Sequence, residues 1–406
     1  MAGRGAATQD DVRRHNLARM LRYLHEDGAK TRSELVAYSG LNRSTVGVLV
    51  SELADVGLVY EGAGSAGQVG RPSLVVQPRA ESALVVAFDI RVERTVVALV
   101  GLGGHVMLRK EQRHRRTNFT PEAAVRNIVA LTTQVLDTAP KGATWVGVGI
   151  GVPGIVDHSD GRVRLAPNLG WQDAPLGDLV RAAFEAEFGD CPPVVINNDA
   201  DLGAIAEHAR GVGAHSRNLI YVSGEVGIGG GIIIDGRLMS GAGGYGGEVG
   251  HMLVNPGGDL CRCGARGCWE TEIGRDCIVR AAGLEGGEQV EVADVIAAAA
   301  KGNATAQEAV DEVGLWLGIG LANLVNLFNP EVIVLGGHLR LLLPLVSGTV
   351  FRQIHFALPA ARDQVRVEVP LLSGDSTLLG AAESAFDPLL ADPIGELARS
   401  PRAVAS

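Results

Sequence analysis

Four residues between positions 251 and 268 have the types and spacing of a metal site: His251, Cys261, Cys263 and Cys268. They follow the pattern H-x9-C-x-C-x4-C in a glycine-rich loop that can fold around one ion. One imidazole and three thiolates match the tetrahedral, closed site of structural zinc, and iron is the alternative metal. The loop offers buried thiols little core to pack in. We therefore predict a structural zinc cofactor rather than three small buried hydrophobes.

Polar residues also follow a strand-like run at residues 194–196, where Asn197, Asn198 and Asp199 come directly after it. Ligands bind at the carboxyl ends of strands in open α/β sheets, so these side chains are candidates for a ligand site. The elements predicted around them are strands at 83–89, 94–101, 105–110 and 145–152 and helices at 121–137 and 176–188.

The following part of the chain repeats this α/β arrangement. Two similar halves facing each other predict a ligand cleft between them. We predict an α/β fold with a first lobe at 80–200, a second lobe with the zinc loop at 201–390, and a flexible tail at 391–406. The second set of predicted strands lies at 218–223, 229–235, 237–239, 331–335 and 365–369, with a helix from 377.

The residues before position 80 predict a helix-turn-helix. Thr31 and Glu34 form a capping box at the start of a short helix that ends near Gly40, and Asn42 can cap the next helix. Two helices joined by a tight glycine-containing turn are typical of this motif. Apolar stripes at helical spacing are Leu17, Met20, Leu21 and Leu24 in the first helix and Val46, Leu49, Val50 and Leu53 in the third.

Polar residues at the start of the third helix are predicted to contact DNA: Asn42, Arg43, Ser44 and Thr45. Two strand-like runs then flank a Gly- and Ser-rich stretch, and together they are predicted to form the wing. Arg71 lies between a glycine and a proline near its tip, which suits insertion into the narrow minor groove.

The distribution of charge favours the same segment. Residues 1–79 carry 10 Lys and Arg against 8 Asp and Glu, whereas the rest of the chain carries 26 against 38. Because phosphate neutralisation supplies most non-specific affinity, we expect operator DNA at 1–79, a winged helix-turn-helix domain. A protein-docking or dimerisation domain is the alternative. Reading two half-sites predicts a homodimer or homotetramer.

Composition indicates a globular protein of two or three domains, since the chain has 406 residues, 46% of them apolar and 20% charged. The longest nearly apolar stretch, 314–328, is shorter than the roughly 18 residues that span a bilayer, and it holds two asparagines. We interpret it as a buried helix. The first 16 residues contain no apolar run typical of a signal peptide. We expect a cytoplasmic protein without a membrane partner.

A wing carrying GRP, together with NNDAD, GGYGGEVGH and CRCGARGCWE in this order, resembles the ROK family of repressors, open reading frames and sugar kinases. The resemblance covers about residues 10–390. It implies an actin-like, ribonuclease H-like duplicated fold with a structural zinc and a sugar in the cleft. Carboxylates and amides suit sugar binding because their hydrogen bonds can distinguish a sugar from its epimer by the direction of one hydroxyl. The implied sugar contacts are Asn168, Asn198, Asp199, Glu248, Glu270 and His251, which also serves the metal.

Two loops that hold ATP phosphates in ROK kinases differ here from the family pattern. The first, DxGGT in the kinases, reads DIRVE at 89–93, and the second, GTGxGxG, reads GEVGIG at 224–229. Glu225 would repel the nucleotide and Val226 would block its close approach to the backbone. Asp199 matches the kinase general base, but a base without a phosphate cradle does not make a kinase.

The resemblance therefore implies a sugar-responsive transcriptional regulator of carbohydrate metabolism, including xylose metabolism, with no catalytic residues. Such a regulator is a repressor or, less often, an activator. The alternative is an ATP-dependent sugar kinase with an accessory DNA-binding domain. A third possibility is a DNA-binding protein whose pocket senses a protein partner.

Overall fold

The computed structural model describes residues 8–63, 74–115, 119–284 and 290–400. Its N-terminal module has three helices, whose apolar stripes form one core, and a three-stranded antiparallel sheet of order β1-β3-β2. The predicted capping box of Thr31 and Glu34 forms, and Asn42 caps the third helix. Arg71 lies outside the described residues. The elements are α1 (Gln9–Asp27), β1 (Lys30–Thr31), α2 (Arg32–Ser39), α3 (Arg43–Asp55), β2 (Val59–Ala63) and β3 (Leu74–Pro78).

A five-stranded sheet of order β11-β7-β4-β5-β6 forms the first lobe. Strands β4 and β7 are buried along their whole length, as their continuous apolar sequences predict for central strands covered on both faces. The elements of this part are β4 (Ala83–Ile90), β5 (Arg94–Gly101), β6 (His105–Arg113), α4 (Pro121–Leu136), β7 (Thr144–Val152), β8 (Ile155–Asp157), β9 (Arg162–Ala166), β10 (Trp171–Ala174), α5 (Leu176–Phe188) and β11 (Val194–Asn198).

A small antiparallel sheet, β10-β9-β8, occupies a stretch in which sequence analysis gave no strand. Three short strands of mixed polarity make this sheet, so their sequences lack a strong alternating pattern. Asn168 lies in the turn between β9 and β10.

The second lobe repeats the topology of the first. Its sheet has the order β14-β13-β12-β15-β16, with three antiparallel strands followed by two parallel ones, as in the first sheet. This agrees with the predicted duplicated α/β fold. Its strands are β12 (Leu219–Gly224), β13 (Ile228–Ile234), β14 (Arg237–Leu238), β15 (Val332–Gly337) and β16 (Arg366–Glu368).

Helices cover both sheets. They are α6 (Asp199–Arg210), α7 (Trp269–Ile273), α8 (Arg275–Ala282), α9 (Val292–Ala300), α10 (Ala304–Phe328), α11 (Leu339–Ile354), α12 (Pro359–Arg362), α13 (Ser376–Ala391) and α14 (Pro393–Arg399). Helix α10 is long and apolar enough by composition to cross a membrane, yet its apolar face lies in the core of the second lobe, as predicted.

Helix α13 does not stay with the second lobe, to which the boundary at 201–390 assigned it. It packs under β4 and β7 of the first sheet, and its apolar residues join that core. The approach is so close that a Cβ at Gly147 or Gly149 of β7 would clash with the carbonyl oxygens of Ala385 and Ala381. Small residues on both partners allow this contact, which no pattern within either segment could indicate.

The flexible tail expected at 391–406 is wrong for residues 393–399, which form α14. Asp392 caps this helix by accepting the N–H of Gly395, and Pro393 occupies its first turn. Pro393 and Glu396 are buried. An Asp-Pro pair is a common helix start, so this signal was present in the sequence.

Candidate metal centre and ligand cleft

The ligand atoms of His251, Cys261, Cys263 and Cys268 all lie within 4.8 Å of one another. Cys261 Sγ is 3.6 Å from His251 Nδ1, and the Sγ atoms of Cys263 and Cys268 are 3.6 Å apart. Four ligands at tetrahedral angles and bond lengths of about 2.3 Å would be separated by about 3.8 Å. The predicted ligands thus come together at distances suited to one metal ion.

Local backbone structure explains how the metal loop, residues 251–268, closes. Gly264 and Gly267 have φ values of 94° and 70°, which favour glycine, and the Cys261 N–H donates to the Ala265 carbonyl at 2.8 Å. Cys268 immediately precedes α7. A metal held by this loop would therefore fix the start of the helix that carries Glu270.

A cleft of about 420 Å³ between the two lobes holds the predicted ligand site. The cleft lies at the carboxyl end of β11 in the first sheet and at the β12–β13 turn in the second sheet. All six side chains predicted to contact sugar line this cleft: Asn168, Asn198, Asp199, Glu248, His251 and Glu270.

The first-lobe wall is built on the N-terminus of α6. Asn198 Oδ1 accepts the N–H groups of Ala200 at 2.8 Å and Asp201 at 3.2 Å, while its Nδ2 donates to the Gly154 carbonyl at 2.9 Å. These bonds fix the position of Asn198 and use one of its two amide N–H groups. Burial raises the pKa of Asp199 to about 7, and the carboxylates of Asp89 and Glu225 add to the effect.

The second-lobe wall joins the metal loop to the cleft. His251 Nδ1 faces Cys261, while its Nε2 lies 3.9 Å from Glu248 Oε2, so one ring nitrogen faces the cysteine cluster and the other faces the cleft. Glu270 Oε2 accepts the Ile228 N–H at 3.1 Å, which ties α7 to the β12–β13 turn. Burial raises the pKa of Glu248, and the nearby Glu270 carboxylate acts in the same direction.

Charged side chains fill the two loops that differ from the kinase pattern. Arg91 Nε donates to Asp89 Oδ2 at 2.6 Å, and Arg91 Nη2 donates to the Gly374 carbonyl at 2.7 Å. Burial raises the pKa of Glu225, with Arg91 opposing and Asp89 reinforcing the shift. The two loops therefore bring the carboxyl groups of Asp89 and Glu225 close to the Arg91 guanidinium, and Glu225 itself lines the cleft.

The polar residues predicted to contact DNA lie together at the start of α3. Asn42 Oδ1 accepts the Thr45 N–H at 2.9 Å and the Ser44 hydroxyl at 2.7 Å. Asn42 and Ser44 thus stabilise the helix end, while the Arg43 side chain is exposed. Arg43 is the member of this group that is most available to a partner.

Two further residues were not indicated by the sequence: Asp201, which lines the cleft, and His158, whose Nε2 lies 3.6 Å from Asp201 Oδ2. Asp201 is 4% exposed and lines the cleft from the first turn of α6, two residues after Asp199. The NNDAD segment offered a signal, since a carboxylate in the first turn of a helix commonly faces the helix N-terminus. His158 lies in the β8–β9 turn, which had no predicted structure.

Two similar sheets that face each other across a ligand cleft define a two-lobed α/β protein with actin-like sheets. The sequence model of the ROK family matches residues 85–387, about three quarters of the chain. The chain belongs to the ROK family.

Solved structures and a curated relative extend this comparison. A ROK family transcriptional regulator, described as a homologue of the Escherichia coli MLC protein, superposes with a TM-score of 0.78 at 24% identity, over 95% of this chain and 99% of its own. A ROK family glucokinase from Streptomyces griseus gives a TM-score of 0.62 at 31% identity, over 74% of this chain and 99% of its own. The xylose repressor of Caldicellulosiruptor bescii is 33% identical over 75% of this chain and 78% of its own length.

Proposed function

We propose that this chain is a sugar-responsive transcriptional repressor, which binds operator DNA through residues 1–79 and a sugar of the xylose type in the cleft. One observation carries the proposal: a complete set of sugar-contact candidates lies in the cleft of a chain whose phosphate loops hold charged side chains. The xylose repressor relative supports the choice of sugar.

The N-terminal module supports a winged helix-turn-helix. Helices α2 and α3 are joined by a short turn at Gly40, which has a φ of 71°, and β2 and β3 form the hairpin that would carry the wing. The likeness in fold to the regulator structure extends over 95% of this chain, whereas the glucokinase structure covers 74%. The part of this chain that the regulator structure covers and the glucokinase structure does not is about as long as the N-terminal module. A symmetric homodimer would present two such modules to two half-sites.

Arg43→Ala is expected to weaken operator binding about tenfold, because one exposed guanidinium contact to a base or phosphate is lost. Fluorescence anisotropy measures this change in affinity, with promoter DNA of the gene that encodes this protein and at one fixed salt concentration. Arg126→Ala, which removes an exposed arginine from α4 in the first lobe, is the matched control and should keep wild-type affinity. Equal operator affinity for Arg43→Ala and the control would contradict the assignment of α3 to DNA.

We propose that the metal loop binds one structural zinc. Its imidazole and three thiolates form a closed set of four protein ligands, which leaves no position for a reacting water. Burial raises the pKa of Cys268 to about 12, and the neighbouring thiols oppose its ionisation further. A divalent cation would supply the positive charge that three thiolates need. The sugar wall on α7 would then depend on the metal for its position.

The charged side chains in the two phosphate loops disfavour the alternative function, an ATP-dependent sugar kinase. A phosphate cradle requires backbone N–H groups that the γ-phosphate can approach, together with positive charge around them. Here the Arg91 guanidinium is already paired with Asp89, and Glu225 adds a carboxyl group at the second loop. Asp199 keeps a position suited to contact a sugar hydroxyl, whereas the carboxyl groups of Asp89 and Glu225 in the two loops would repel the phosphates of a nucleotide.

Coupling between the cleft and the DNA-binding module is supported by a largely buried cluster of one ion pair and one imidazole. Glu383 of α13 pairs with Arg210 at the end of α6, and its Oε2 lies 3.0 Å from His25 Nε2 of α1. His25 Nδ1 also accepts the Gly103 N–H at 2.9 Å. Although burial alone would raise it, His25 and Arg210 hold the pKa of Glu383 at about 2, so this carboxylate remains ionised.

Two of the three helices in this cluster, α6 and α13, begin near the cleft. Helix α6 starts with Asp199, and Thr377 in the first turn of α13 donates to the Asp199 carbonyl at 3.2 Å. A second contact, from Arg22 of α1 to Asp387 of α13 at 2.9 Å, lies beside the cluster. Movement of either helix on sugar binding would therefore be transmitted to α1 of the DNA-binding module.

A further inference from the structure

Asp201 is a buried carboxyl group that neither the metal centre nor the six predicted sugar contacts use. It lines the cleft, is 4% exposed, and its Oδ1 has no hydrogen-bond partner among the described residues. Buried polar atoms are nearly always hydrogen-bonded because an unpaired one loses the hydrogen bonds it made to water. A partner from outside the chain would satisfy this atom.

His158, in the β8–β9 turn, lies beside this carboxyl group. Its Nδ1 donates to Asn197 Oδ1 at 2.7 Å, which places Nε2 3.6 Å from Asp201 Oδ2. That separation is too long for a hydrogen bond. The imidazole is therefore in van der Waals contact with Oδ2 and leaves the hydrogen-bonding capacity of the carboxyl group unused.

Three groups face Asp201: His158 from the β8–β9 turn, Asp199 from its own helix, and Glu248 from the second lobe. Burial raises the pKa of Asp201 to about 8, and the carboxylates of Asp199 and Glu248 raise it further. At neutral pH the group is therefore mainly an uncharged acid, with one O–H donor and one carbonyl acceptor. A sugar hydroxyl can both donate and accept, so it complements this group.

We infer that Asp201 contacts a hydroxyl of the bound sugar through its unpartnered Oδ1 and is a specificity-determining residue of the cleft. The inference rests on the proposed sugar site and adds to it a contact from the first turn of α6. Sugar is uncharged and excludes water from the carboxyl group, so the complex favours the neutral acid. Sugar affinity should therefore fall as the pH rises through the pKa of Asp201.

Calorimetry with D-xylose on the full-length protein tests the assignment, with Asp201→Asn and Asp201→Ala compared between about pH 6 and about pH 9. Asparagine keeps one donor and one acceptor, so Asp201→Asn should bind within about threefold of wild type at neutral pH. Asp201→Ala should bind about tenfold more weakly and discriminate less well against D-lyxose and D-ribose, two epimers of D-xylose. Asp311→Ala, on the exposed face of α10, is the matched control and should bind as wild type.

The pH dependence separates a ligand contact from a structural role. Asp199 and Glu248 still titrate in Asp201→Asn, so the additional alkaline weakening in wild type measures Asp201 together with its charge coupling to these two carboxyl groups. Wild-type affinity in Asp201→Ala, an equal loss in both variants, or identical pH profiles for wild type and Asp201→Asn would overturn the assignment. A wild-type protein that binds no sugar at all would overturn the proposed sugar site itself, and the assignment with it.

Discussion

Cys263→Ser is expected to lose the metal and most of the sugar response. Serine replaces a thiolate with a hydroxyl, which is a poor zinc ligand at neutral pH, and structural zinc sites contribute about 10–16 kcal/mol of apparent binding free energy. Elemental analysis should find about one zinc per chain in wild type and almost none in the variant. The free metal loop would no longer fix α7, so Glu270 would lose its position although no sugar contact was changed.

Cys191→Ser is the matched control for this experiment. Cys191 is a half-buried thiol between α5 and β11, and its Sγ donates to the Pro192 carbonyl at 3.3 Å. The control should keep its zinc, and its D-xylose affinity measured by calorimetry should match wild type, whereas Cys263→Ser should bind D-xylose at least about tenfold more weakly. Normal zinc content together with normal sugar affinity in Cys263→Ser would refute the metal centre.

Glu248→Ala is expected to weaken D-xylose binding about 100-fold, since a partly buried carboxylate that accepts sugar hydroxyls is removed. Operator affinity without sugar should remain unchanged because Glu248 has no contact with the N-terminal module among the described residues. Glu308→Ala, which removes an exposed carboxylate from α10, is the control. Anisotropy with operator DNA, titrated with D-xylose, should show no sugar effect in Glu248→Ala and a full effect in the control. A full sugar effect in Glu248→Ala would exclude this residue from the site.

Features with a local cause could be predicted from the sequence. The capping box of Thr31 and Glu34 and the cap at Asn42 both depend on residues within one helical turn, and they occur where predicted. The metal ligands also came together as expected, since three of them lie within eight residues. Spacing along the chain limits the possible distances in such a short loop.

Features that depend on distant packing could not be predicted. Helix α13 returns to the first sheet because small residues on two distant segments, such as Gly149 and Ala381, fit together. The approach of His158 to Asp201 depends on a hairpin whose strands are three to five residues long, too short for a clear pattern. The pairing of His25 with Glu383 likewise joins residues 358 positions apart.

Sugar in the cleft is expected to change the affinity of the same chain for operator DNA. Thermodynamic linkage requires that operator DNA change sugar affinity by the same factor as sugar changes operator affinity. A coupling free energy of about 1–3 kcal/mol corresponds to a factor of about 5 to 150. We expect the coupling to be negative, with sugar releasing DNA, as in a repressor relieved by its effector.

Calorimetry of D-xylose binding to the full-length protein, with and without saturating operator DNA, measures this factor most directly. We expect operator DNA to weaken D-xylose binding at least about fivefold, and D-xylose to weaken operator binding by the same factor. Identical D-xylose affinity in the two titrations would show that the cleft has no thermodynamic connection to the DNA-binding module.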